Sequence, residues 1–178
     1  MLTDDQKHVL LDLARESVRA RVARSDGPPP SEMVFPEASG AFVTVKRRGA
    51  LRGCLGTLEC RRGLAVEVQR CAADAASEDS RFPPVSAREL PELSIEVSIL
   101  GPLEEIEPRD PGAIIIGRHG LVAEQGHRRG LLLPQVATEW GWTVEEFLRQ
   151  TCVKAGLPPD AWQHGARISR FEAEVFGD

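Results

Sequence analysis

The sequence predicts an α+β fold in two lobes, and three observations carry that reading. Residues 41–47 and 93–99 alternate apolar and polar side chains at strand period, whereas residues 4–24 and 64–75 repeat their apolar positions at helical spacing. Between Gly101 and Gly112, prolines and acidic residues replace any apolar periodicity, which marks a boundary between lobes. No parallel crossover unit is evident, so the sheets are expected to be antiparallel.

In chain order, Thr3 and Gln6 form a capping box ahead of Val9, Leu10, Leu13, Ala14 and Val18, which predicts a helix from Asp4 to Arg24. Gly27 to Glu32, with three consecutive prolines, is expected as a loop of polyproline character. Ala41 to Arg47 and Arg52 to Leu58 form a hairpin around Arg48-Gly49. Leu64, Val68, Cys71, Ala72 and Ala75 share one helical face, so Cys71 is read as core packing. Glu78 to Pro84 ends that helix in a rigid polar loop, and Ser86 with Glu89 caps one short turn. Leu93, Ile95, Val97 and Ile99 then mark a half-buried strand.

Beyond the linker, Ala113 to Ile116, Leu121 to Glu124 and Gly130 to Leu133 are expected to form a three-stranded meander. Pro134 to Trp140 reads as a short helix. Thr143 with Glu146 caps a second helix carrying Phe147, Leu148 and Cys152. Trp140, Trp142 and Trp162 are expected in the core of this lobe. Ile168 to Phe176 is a final strand, expected to pair with the first lobe.

Composition excludes several function classes. With 178 residues, 42% of them hydrophobic and 28% charged, the chain has ordinary globular chemistry. Nothing approaches the roughly 18 apolar residues of a membrane span, and the polar Met1 to Lys7 segment is unlike a secretory signal, so a cytoplasmic protein with no membrane partner is expected. A net charge of −5 argues against a nucleic-acid partner, since the short basic runs at residues 46–48 and 128–129 sit at turns. Cys54, Cys60, Cys71 and Cys152 fit no CxxC pattern and should remain thiols. No phosphate-binding, dinucleotide or metal-ligand spacing appears, so neither cofactor nor metal is expected.

The chemistry concentrates in Leu51-Arg52-Gly53-Cys54-Leu55-Gly56. In an extended chain Arg52 and Cys54 share a face opposite Gly53 and Leu55, and a guanidinium beside a thiol favours the nucleophilic thiolate. Gly53 and Gly56 would then clear space around the sulfur. Alternatively, the glycines mark a bulge and Cys54 fills a small gap. Among the histidines, His119 in the Arg118-His119-Gly120 turn is the best placed to assist. Asp79 and Arg81 form a local ion pair that orders the following loop or binds substrate.

This hexapeptide resembles the signature of the AMMECR domain family, with leucine at the fifth position where isoleucine is usual. Asp79 to Pro84, the Ile95 strand, His119-Gly120-Leu121, Leu132 to Val136, Gly141-Trp142 and Lys154-Ala155-Gly156 are similar to further blocks of the family, in order, over nearly the whole chain. The resemblance implies one domain with two subdomains. The larger, residues 1–101 and 166–178, would hold a five-stranded antiparallel sheet plus helices, and the smaller, residues 102–165, a three-stranded sheet plus helices. The hexapeptide would face a cleft between them. Bacterial members look like the A component of a three-part set with a Memo-type protein and a radical-SAM protein, which implies an accessory role. Two functions follow. One is a binding component whose cleft holds a peptide, protein or sizeable ligand, with Arg52, Gly53, Asp79 and Arg81 at the contact. The other is a cysteine-dependent enzyme with Cys54, Arg52 and His119 as the working set.

Overall fold

The computed structural model describes residues 2–178 and is an α+β fold of helices and antiparallel sheet. It separates into two compact units: unit 1, up to Leu100 together with Glu174–Asp178, and unit 2, Gly101–Ala173. Among the described residues no helix is long and apolar enough to cross a membrane.

Unit 1 opens with helix α1, Asp4–Ala23. Thr3 Oγ1 accepts from Gln6 N–H and Gln6 Oε1 accepts from Thr3 N–H, closing the expected capping box. A hairpin follows, β1 (Gly40–Arg47) and β2 (Ala50–Thr57), turned by Arg48 and Gly49 at positive φ as a tight two-residue connection requires. Helix α2 spans Leu64–Ser77, and β3, Leu93–Leu100, pairs antiparallel with β1. Alternation puts Ala41, Val43 and Val45 of β1 and Ile95, Val97 and Ile99 of β3 on one face, where α1 and α2 cover them with Leu10, Ala14, Val18, Val68, Cys71 and Ala72. Each fully buried aliphatic side chain there contributes roughly 1.5–3 kcal/mol. The opposite face carries Phe42, Thr44, Lys46, Cys54, Ser94 and Glu96 and is partly open. Gln69 Nε2 donates to the carbonyls of Pro28 and Pro29, pinning the polyproline loop to α2.

Unit 2 contains the two-residue β4 (Glu104–Glu105), β5 (His119–Gln125), β6 (Arg128–Leu132), α3 (Pro134–Glu139), α4 (Val144–Lys154) and most of β7 (Arg167–Gly177). β5 pairs with β6 on one side and β7 on the other, and β4 pairs with the far side of β7. The expected strand at 113–116 does not form. Arg118 and His119 both donate their N–H groups to the Ile115 carbonyl, so the chain closes into a turn there, and β7 takes the place beside β5. Phe147, Leu148 and Cys152 of α4 pack with Leu121, Ala123 and Ile168 as the core. Trp140 departs from expectation: it is 71% exposed, stacked on Trp142 at 6.2 Å, because α3 ends just before it.

The end of β7, from Glu174, returns to unit 1 beside β3. Asp178 N–H donates to the Ile95 carbonyl and Ile95 N–H to the Asp178 carboxylate, both at 3.2 Å.

Candidate functional site

β2 is the outer strand of the unit 1 sheet, and a bulge governs how it presents the hexapeptide. Lys46 pairs with Leu51 but Val45 pairs with Gly53, so Arg52 is the extra residue. From Gly53 onward the alternation resumes, with Gly53 and Leu55 turned toward the core and Cys54 and Gly56 away from it.

Both glycines serve packing. A Cβ on Gly53 would stand 2.1 Å from the Ala75 carbonyl, so the bare position is what lets α2 lie directly against the strand. A Cβ on Gly56 would stand 2.2 Å from the Phe42 ring. The space expected around the sulfur is therefore filled by helix backbone on one side and an aromatic ring on the other.

Arg52 does not share a face with Cys54, because the bulge interrupts the alternation on which that expectation rests. Its guanidinium is occupied. Nε donates to Glu89 Oε1 at 2.8 Å and Nη2 to Glu89 Oε2 at 3.2 Å, while Nη1 and Nη2 reach the carbonyls of Pro83 and Pro84 at 2.8 and 3.3 Å. Glu89 also accepts from Ser86 N–H and Oγ, at 2.8 and 2.9 Å. Hydrogen bonds from Arg52 first, then from Ser86, hold the Glu89 carboxyl down to about 2. Arg52 thus fastens the 82–89 loop to the sheet.

The guanidinium that stays accessible near Cys54 is that of Arg81. It chelates the buried Asp79, with Nε to Oδ1 at 2.9 Å and Nη2 to Oδ2 at 2.7 Å, yet its side chain is 56% exposed. Asp79 further accepts the N–H of Arg81 at 3.1 Å and the N–H of Cys54 at 2.9 Å. Arg81 above all, with these two N–H groups, holds the Asp79 carboxyl well below the usual carboxylate range. The half-buried Cys54 Sγ accepts from Thr44 Oγ1 at 3.3 Å. Phe82 lies between the two arginines, 6.0 Å from the Arg52 guanidinium carbon and 5.6 Å from that of Arg81. Burial pushes the thiols of Cys60 and Cys71 up to about 11 and raises that of Cys152.

Arg52, Gly53, Cys54, Asp79 and Arg81 thus belong to one continuous region of unit 1. His119 lies in unit 2, 4% exposed. Its Nδ1 accepts the Ile115 N–H at 3.0 Å, and burial first, then Arg170 and Arg118, lower its pKa, so the ring stays neutral. In unit 1 the histidine is His8, on α1, with Nδ1 against the Asp4 carbonyl. Among the described residues no group of three or more His, Cys, Asp or Glu is placed to hold a metal ion. Two partners were not singled out by sequence reasoning. Glu89 was legible only as the cap of a short turn, and Thr44 emerges from the bulged register.

Known proteins place the chain firmly. The AMMECR1 family profile matches residues 11–176. A protein of Methanothermobacter thermautotrophicus is 44% identical over 98% of this chain and 95% of its own length. One of Thermococcus kodakarensis is 45% identical over 98% of this chain and 91% of its own. The crystal structure of an uncharacterized protein, PH0010 from Pyrococcus horikoshii, superposes with a TM-score of 0.86 at 40% identity, covering 99% of this chain and 93% of that one.

Proposed function

This chain belongs to the AMMECR1 family, and on that premise we propose that it is a binding component whose recognition surface surrounds Cys54 on unit 1. One observation carries the reading: the strong polar groups about the sulfur are spent on holding geometry. Arg52 is consumed by Glu89 and two carbonyls, and Asp79 by Arg81 and the Cys54 N–H. Among the described residues no histidine of unit 1 bonds to the thiol. What remains available is a preorganised surface of Cys54, the outer part of Arg81 and the Phe82 ring, suited to gripping a peptide, a protein or a sizeable ligand without turnover. We assign the partners to the Memo-type and radical-SAM proteins of a cytoplasmic set. Titration of each purified partner against the wild-type protein, Cys54→Ala and Arg81→Ala tests this. Retained affinity in Cys54→Ala with about a tenfold loss in Arg81→Ala is expected, since one charge-assisted contact is worth roughly 1.5–3 kcal/mol. Equal affinity across all three proteins would defeat the proposal.

A second reading is favoured by the contact of the Thr44 hydroxyl with Sγ at 3.3 Å and by the Arg81 guanidinium nearby, which together place a nucleophilic atom beside an anion-binding group. Under it the protein is a cysteine-dependent enzyme. Iodoacetamide should then label Cys54 faster than a free cysteine at neutral pH, and Thr44→Val should slow the reaction. A rate equal to that of free cysteine discards it.

A further inference from the structure

We infer that the outer edge of β2, at Cys54 and Gly56, is a docking strand for an extended peptide carrying an acidic side chain. The inference rests on the binding reading above and adds the class of partner.

β2 ends the order β2-β1-β3, and among the described residues no strand lies beyond it in unit 1. Antiparallel pairing alternates, so only every second residue bonds inward. Cys54 N–H donates outward to Asp79, which fixes the phase: Gly53, Leu55 and Thr57 face β1, while Cys54 and Gly56 direct their backbone groups away from it. The cross-strand contact between Thr44 Oγ1 and Cys54 Sγ agrees, because side chains approach most closely at pairs that do not exchange backbone bonds.

Proteins normally blunt such an edge with prolines, charges or covering loops. Here the defence is partial. The Pro83-Pro84 segment, tied by Arg52, and the Asp79 carboxylate guard the edge as far as the Cys54 N–H. Past that point no partner for the Cys54 carbonyl or for the N–H and carbonyl of Gly56 is found among the described residues, and Gly56 is exposed. Three consecutive outward groups are what a short added strand needs.

Arg81 supplies the side-chain selectivity. It stands beside Cys54, held to Asp79 through Nε and Nη2 with no partner on Nη1 among the described residues, so a carboxylate on the incoming strand gains a charge-assisted bond. The half-buried Phe82 ring offers an apolar neighbour. The same arginine disfavours a second copy as occupant, because pairing β2 with its own image would bring two Arg81 side chains to one short interface.

The test selects 12-residue peptides from a displayed random library against the whole protein and follows amide hydrogen exchange with one synthetic winner. Winners rich in Asp or Glu are expected, with Gly56 N–H exchange slowed at least tenfold in the complex. Arg81→Glu should weaken binding about tenfold, while the exposed Arg62→Glu changes it less than twofold. A winner that binds with Gly56 exchange unchanged overturns the edge assignment while leaving the binding reading intact. Failure to select any peptide overturns it too, with the partner titrations judging the broader reading separately. Gly56 protection that grows with protein concentration and no peptide assigns the edge to a second copy and likewise overturns the inference.

Discussion

Two guanidinium–carboxylate pairs flank the same phenylalanine, and they do different work. Arg52 and Glu89 are both nearly buried, with side chains 12% and 11% exposed, whereas Asp79 is 6% exposed and its partner Arg81 56%. The chemistry is the same and the surroundings are not. A cation with each of its three nitrogens bonded inside the protein holds structure. One that is anchored at two nitrogens and wet at the third holds its carboxylate and still offers itself to a partner. The difference teaches that proximity to a cysteine in sequence is a poor guide to which arginine serves it.

Breaking the closed pair should cost most. Arg52→Ala leaves the nearly buried Glu89 with only Ser86 and a 3.4 Å contact from Arg47, and releases two loop carbonyls, for a stability loss of about 2–3 kcal/mol by denaturant titration. The same variant should flatten the acid limb of stability. Glu89 is held at about 2 against an ordinary 4.5, so its contribution is complete above pH 4.5 and is lost as pH falls toward 2. Without Arg52 that dependence shrinks, read from unfolding midpoints over this range. Next, Asp79→Asn keeps one acceptor but weakens the hold on Arg81 and the Cys54 N–H, for about 1–2 kcal/mol. The smallest effect belongs to Arg81→Ala, because its side chain is 56% exposed and Asp79 keeps the backbone N–H groups of Cys54 and residue 81. If Arg81→Ala were as destabilising as Arg52→Ala, the contrast between the pairs would fail.

Much of this was legible in the chain. The capping box at Thr3, the hairpin at Arg48-Gly49 and the apolar face of α2 each follow from local chemistry, and each element formed. The orientation of the site was not legible, and the reason is one residue. Counting back from the turn without a bulge sets Thr44 opposite Gly53 and puts Arg52 beside Cys54. The bulge at Arg52 shifts Thr44 to Cys54 and sends the guanidinium to Glu89. Similarly, nothing local distinguishes residues 113–116 from a strand. It takes the His119 ring, accepting the Ile115 N–H, to close that segment. Trp140 reads as core by composition, and only the point where α3 stops puts it in water.

The division between the units falls inside β7, between Ala173 and Glu174. A ribosome that has released the first hundred residues has therefore not yet supplied what lies beside β3. That half of the protein must idle, one edge unzipped, until the whole intervening unit has been translated. A nick or premature stop shortly before Glu174 would be felt first at the opposite end of the gene product.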